Sequence, residues 1–180
     1  CKPLLVYLGI FGTDMYGSLA YTEAGRGLHE EILTPAYQTQ EELFTIWLKE
    51  LDETITVLTS DLPNQITLGT QDFVYNGDLK KWAKFANSLK LKIAVRMLHA
   101  NKAEALKIAQ NVAESPVGVM SSLDDDFFYC KGAQEYHFGD DVLDGQEKGI
   151  GAQQLINFLV ENKDPRVRFI FQKNDFNSKV

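Results

Sequence analysis

A chain of 180 residues is long enough for one hydrophobic core or two small ones, and 44% hydrophobic with 24% charged residues places it among ordinary globular sequences, away from disordered or collagen-like ones. Asp and Glu number 25 against 18 Lys and Arg, a net charge of −7 that argues against a broad grip on phosphate backbones and excludes nucleic acid as the expected partner. The run from Leu4 to Phe11 is interrupted by Gly9, so no stretch approaches the roughly 18 to 20 apolar residues that span a bilayer.

Leu4, Leu5, Tyr7, Leu8 and Phe11 suit the last turns of a helix packed on a core, with Gly12-Thr13-Asp14 breaking the pattern. Tyr16-Gly17 through Gly27 reads as an irregular loop. Thr39 followed by Glu42 forms a capping box, and Leu43, Trp47, Leu51, Ile55 and Leu58 then repeat at helical spacing to a stop near Asp61, ahead of Pro63. Residues 64–77 read as a connection whose Ile66, Leu68, Phe73 and Tyr75 cover the core. Asp78 caps the strongest element, Leu79 to His99, with Leu79, Trp82, Phe85, Ala86, Leu89, Ile93 and Met97 on one stripe.

Asn101 and Glu104 give another capping box, opening a helix with Leu106, Ala109, Val112 and Ala113 on one face, which Ser115-Pro116 ends. Two helices joined by so short a turn fold back as an antiparallel pair. Their combined length, from Asp78 to Glu114, is close to the roughly 34-residue period of tetratricopeptide units, although the W-x-x-L-G-x-x-Y consensus is absent. The chain from Val117 to Gly149 is loop-like. Helix returns from Gly151 to Asn162, burying Leu155, Ile156, Phe158 and Leu159, and Asp164-Pro165-Arg166 punctuates it. The expected fold is therefore all-α: tetratricopeptide-like antiparallel helix pairs with long irregular loops.

The candidate chemistry is thin. Cys1 and Cys130 either close one long disulfide loop or stand as buried thiols, and one pair does not identify a redox compartment. A first-position Cys raises the idea of a lipidated N-terminus, but an apolar run follows it where a polar tether is usual. His29, His99 and His137 are too widely spaced for a tight zinc site. Asp140, Asp141, Asp144 and Glu147 fail the calcium-loop pattern, since Val142 would occupy its third position. Asp124, Asp125 and Asp126 are adjacent carboxylates in a loop, which says nothing of the separation that glycoside hydrolysis needs. Lys80, Lys81, Lys84, Lys90, Lys92 and Arg96 read as the solvated face of the long helix. No cofactor and no catalytic centre is expected. Trp47 and Trp82 belong to apolar stripes, which leaves Tyr16, Tyr21, Tyr37 and Tyr75 as loop aromatics able to stack on a sugar or to pack over helix ends.

Three stretches carry a resemblance. Thr13-Asp14-Met15-Tyr16-Gly17 with Ala20-Tyr21-Thr22-Glu23-Ala24 resembles a T-D-x-Y-G…P-Y-x-E-A segment, with Ala20 where the proline is usual. The run Tyr75-Asn76-Gly77-Asp78, then Lys81-Trp82-Ala83-Lys84-Phe85-Ala86-Asn87-Ser88-Leu89 and on to Arg96-Met97, is similar nearly throughout to a Y-x-G-D…K-W-x-K-F-A-N-S-L helix. Asp164-Pro165-Arg166 resembles a D-P-R turn. Together they are similar to the SusD-like (RagB/SusD) family of outer-membrane nutrient-binding lipoproteins.

That resemblance implies a helical-repeat scaffold, non-catalytic capture of an oligosaccharide or other nutrient, and hand-over to a TonB-dependent outer-membrane transporter. It also implies that residues 1–180 are part of one helical domain in a protein about three times longer, with the lipidated Cys well upstream of Cys1. Asn87, the amide of K-F-A-N-S-L, is expected to tie backbone or helices together. Asp14 and Tyr16 are the ligand-binding residues expected from loop position. A helical-repeat scaffold binding only protein is the alternative.

Overall fold

The computed structural model describes residues 2–60, 65–128 and 153–171. The chain divides into two compact units, residues 1–130 and 131–180. In the first unit, helices α1 (Lys2–Tyr16), α3 (Gln40–Thr59), α4 (Leu79–Met97) and α5 (Lys102–Glu114) pack together, and a single turn, α2 (Gly27–Glu30), lies in the loop after α1. No strand occurs among the described residues; one antiparallel bridge joins Leu19 to Gln38 through N–H···O bonds of 3.0 and 2.8 Å.

The capping box opens α3 as expected: Glu42 donates its N–H to Thr39 Oγ1 at 3.4 Å, and Thr39 N–H donates to the Glu42 carboxylate at 2.7 Å. Leu43, Phe44, Trp47 and Leu51 form its buried face. The last turns read T-I-T-V-L-T, and Thr54, Thr56 and Thr59 each turn a hydroxyl back to the carbonyl four residues earlier. Such bonds and β-branching weaken a helix, and α3 gives way to extended backbone at Ser60.

Asp78 caps α4 by accepting from the N–H groups of Lys80 at 2.9 Å and Lys81 at 3.1 Å. The helix buries Phe85, Ala86, Leu89 and Ile93 against α1 and α3, and Ala94 in a second cluster with Ile108 and Val112 of α5. It ends at Met97, leaving His99 in the turn. Asn101 accepts from Glu104 N–H at 3.1 Å, but its own N–H goes to the Met97 carbonyl at 2.7 Å, so α5 has a simple cap and not the expected box. Its buried residues are Ala105, Ile108 and Val112; Leu106 and Ala113 face solvent, one position from the expected stripe.

Two apolar assignments are corrected more sharply. Helix α1 runs through Gly12-Thr13-Asp14 to Tyr16 and buries Pro3, Val6, Ile10 and Thr13, while Leu4, Leu5, Leu8 and Phe11 are exposed. The cause is the contact at Gly9, where an added Cβ would lie 2.5 Å from Cζ2 of Trp47, itself 0% exposed. The face that admits the indole must carry the glycine and its small neighbours. In the connection before α4, Tyr75 alone of the four expected residues is buried; Ile66, Leu68 and Phe73 are exposed.

The second unit contains α6 (Gln153–Glu161) and α7 (Val167–Ile170). Leu159 is buried, whereas Leu155 and Phe158 are exposed, against expectation. Lys163, at φ 52°, closes α6 in the left-handed region, and Asp164 N–H reaches the Leu159 carbonyl at 2.8 Å. Asp164 then accepts from the backbone N–H of Arg166 at 2.9 Å, which makes the expected D-P-R punctuation a turn held by its own carboxylate.

Candidate functional site

Asp14 and Tyr16 lie on the last turn of α1, not in a loop. The helix stops because Gly17 takes φ 77°, its N–H bonding the Thr13 carbonyl at 2.9 Å while the Thr13 hydroxyl donates to Gly17 O. Tyr16 is thereby left 74% exposed. Asp14 is directed at α4, where Arg96 Nε lies 2.9 Å from each carboxylate oxygen and Nη2 completes the pair. The Arg96 hydrogen bond outweighs partial burial and holds the Asp14 carboxyl below its ordinary pKa.

One turn before Arg96, the Lys92 ammonium stands 5.0 Å from the Tyr7 ring centre and 4.8 Å from that of Phe11. Burial, then the neighbouring Arg96 charge, lowers the Lys92 pKa. Lys84 pairs with Asp125 at 2.8 Å and Lys90 with Asp52 at 2.6 Å. Four of the six cations expected on a solvated face are therefore fastening points. The carboxylate partners of Lys84, Lys90 and Arg96 lie between 38 and 82 residues away, beyond any local pattern.

The aromatic candidates separate in the same way. Tyr21 is half-buried, edge-on to Trp47, and its hydroxyl donates to Glu50 at 2.5 Å; burial and that carboxylate raise its pKa strongly. Tyr75 donates to the Asp125 carbonyl at 3.0 Å and is pushed up to about 12 by burial and nearby carboxylates. Both are packing residues. Tyr37 is exposed, like Tyr16. It immediately precedes Gln38, whose side chain accepts from Tyr21 N–H at 2.8 Å and donates to Thr22 Oγ1 at 2.9 Å. Glu23 accepts from Ala36 N–H at 2.7 Å beside it.

Asp125 is turned inward, accepting from Lys84, Ser121 N–H and the Ser122 hydroxyl, and these bonds lower its pKa to about 2. Asp124 and Asp126 face solvent, so the three carboxylates do not converge. Asn87 donates to the Gly118 carbonyl at 2.8 Å and so ties α4 to the turn after α5, the structural role expected of it. Among the described residues no group of three His, Cys, Asp or Glu side chains is arranged to hold a metal. Cys1, Cys130, His137 and the Asp140, Asp141, Asp144 cluster lie outside the described residues.

Asp72 is the organising residue that sequence reasoning missed. Its carboxylate accepts from the N–H groups of Val74 at 3.0 Å, Tyr75 at 3.3 Å and Gly77 at 2.9 Å, and from Trp82 Nε1 at 2.6 Å. An Asp that closes its own turn two residues on, just before Asn-Gly, is a legible signal. The indole contact is not.

Residues 3–180 match the family described as SusD-like, starch-binding and associating with the outer membrane. A SusD homolog from Bacteroides uniformis is 36% identical over 70% of this chain and 25% of its own, with a TM-score of 0.62. A chitin-binding protein is 30% identical over 93% of this chain and 34% of its own, with a TM-score of 0.73. A chitin-binding SusD homolog from Flavobacterium johnsoniae is 30% identical over 70% of this chain and 26% of its own, with a TM-score of 0.63. The chain thus spans between a quarter and about a third of the length of these structures. No curated protein matches it. Among the described residues no helix is long and apolar enough to cross a membrane.

Proposed function

This chain belongs to the SusD-like family, and from that membership we propose that it is part of a protein that captures an oligosaccharide without cleaving it at the bacterial outer membrane. The observation that carries the reading is its 30% identity over 93% of the chain to a chitin-binding protein of the same helical shape. In this reading the chain is part of one helical domain of a lipid-anchored protein about three times longer, and the bound glycan passes to a TonB-dependent transporter.

Within this segment Tyr16 is the residue to contact sugar, since an exposed ring at a helix end offers a face for stacking. Asp14 contributes through the lone pairs that Arg96 leaves free, accepting from a hydroxyl while the guanidinium holds the carboxylate still. The fastened cations and the inward-turned Asp125 carboxylate supply a rigid scaffold from which an exposed ring can be presented to a sugar.

The test is calorimetric titration of the full-length protein against chitooligosaccharides and maltooligosaccharides, with reaction products followed in the same samples. Binding without new reducing ends is the expected result. Silence toward every oligosaccharide would overturn the reading and favour the protein-binding scaffold, for which the exposed Leu4, Leu8, Phe11 and Met15 on α1 supply a surface. Hydrolysis at an enzymatic rate would overturn its non-catalytic part.

A further inference from the structure

The lysines at the start of α4 pose a problem that the capture reading leaves open. Lys80, Lys81 and Lys84 sit in its first two turns, where the helix dipole disfavours cations, and beyond the Asp78 cap the first turn holds no acidic residue to offset them. Lys80 and Lys84 are one turn apart on the same side, a like-charge spacing that costs stability. Lys84 has an answer in Asp125 at 2.8 Å. The Lys80 ammonium has no carboxylate partner among the described residues; Asp78 turns Oδ1 to the Lys80 and Lys81 N–H groups instead.

Both lysines line one surface hollow of about 440 Å³, together with Thr59, Ala83, Pro116 and Val117. Its volume falls within the roughly 300–1,000 Å³ of small-ligand sites. Three elements meet there: the C-terminal turn of α3, the first turns of α4 and the turn after α5. The chemistry is divided. One side offers an ammonium with no carboxylate partner among the described residues and a second one fixed in place by Asp125, with donors to spare beyond that bond. The other offers the apolar surfaces of Pro116 and Val117, fit for the carbon face of a ring, over the buried Ala83.

Resting on the glycan-capture reading, we propose that this hollow binds a sugar residue carrying an anionic substituent, a carboxylate or a sulfate ester. The Lys80 ammonium meets the charge, Lys84 donates from its fixed position, and the ring lies on Pro116 and Val117. A chain of net charge −7 has in this hollow a local site for an acidic glycan.

The experiment titrates the full-length protein with oligouronates, sulfated oligosaccharides and neutral oligosaccharides of matched length. It compares the unaltered protein with Lys80→Gln and Lys80→Glu, exposed changes that leave the core untouched. The expected result is tighter binding of at least one acidic class, weakened about tenfold by Lys80→Gln and further by Lys80→Glu. Added salt should weaken it too, with affinity for neutral oligosaccharides unchanged by either substitution. Which acidic class responds distinguishes carboxylate from sulfate. Neutral binding with no acidic preference, or acidic binding indifferent to Lys80, would overturn the hollow while leaving glycan capture intact. No binding of any class would overturn both.

Discussion

Trp82 Nε1 donates to the Asp72 carboxylate at 2.6 Å, so the residue that closes the turn before α4 also holds the helix it leads into. Replacing Asp72 with Asn keeps the shape but puts an amide NH2 among four N–H donors. The expected loss is about 2–3 kcal/mol, read as a lower urea midpoint at unchanged slope.

The same carboxylate gives an acid dependence. Burial pushes the Asp72 pKa up, but the four hydrogen bonds outweigh it and hold the group below its ordinary 3.8. A carboxyl depressed in the folded state adds stability above its unfolded pKa and loses it as pH falls through the folded value. Urea midpoints measured from pH 6 downward should decline below about pH 4, and Asp72→Asn should remove that part of the decline.

At Gly9 even one added methyl group meets the indole of Trp47, with 2.5 Å between the new Cβ and Cζ2. Gly9→Ala raises helix propensity, yet it must push α1 from α3, and overpacking of this kind costs about 1–3 kcal/mol. A lowered melting temperature with altered tryptophan fluorescence is the expected outcome. A more stable variant would show that α1 shifts freely.

The Asp14–Arg96 pair joins residues 82 positions apart. With both side chains about a third exposed, solvent screening limits their coupling to about 1 kcal/mol in a double-mutant cycle. Arg96→Lys should lose most of that coupling, because an ammonium does not reproduce the fork.

Tyr16→Ala tests the exposed ring directly. Stability should change by no more than about 0.5 kcal/mol. Glycan affinity of the full-length protein, measured by titration, should fall roughly three- to tenfold.

How far the sequence could be read follows from the distance over which each feature is determined. Thr39 with Glu42 and Asp78 with Lys80 are local, so the starts of α3 and α4 and their buried stripes were legible. The buried face of α1 was not. Leucines on one side of that helix outweigh Val6, Ile10 and Thr13 in hydrophobicity, and only the fit of Gly9 to Trp47 decides which side turns inward. The cations of α4 were misread for a related reason: periodicity marks a polar face but cannot say that Asp14, Asp52 and Asp125 will meet it. The sequence suggests a loop at Asp14 and Tyr16 because Gly12 looks like a break, but α1 tolerates that glycine and stops at Gly17.

The enclosure of α4 sets the order in which the first unit lets water in. Its apolar residues face α1 and α3 on one side and α5 on the other, and Asn87 and Ser88 bond the turn after α5 as well, through Gly118 O and Met120 N–H. Amide hydrogens from Phe85 to Ile93 can therefore exchange with deuterium only when the whole assembly opens, at one shared free energy. Helix α5, attached through the smaller cluster of Ala94, Ile108 and Val112, should exchange faster than α4. Slow, uniform exchange in the middle helix beside faster exchange in its outer neighbour is the dynamic signature of a stack whose strength lies at its centre.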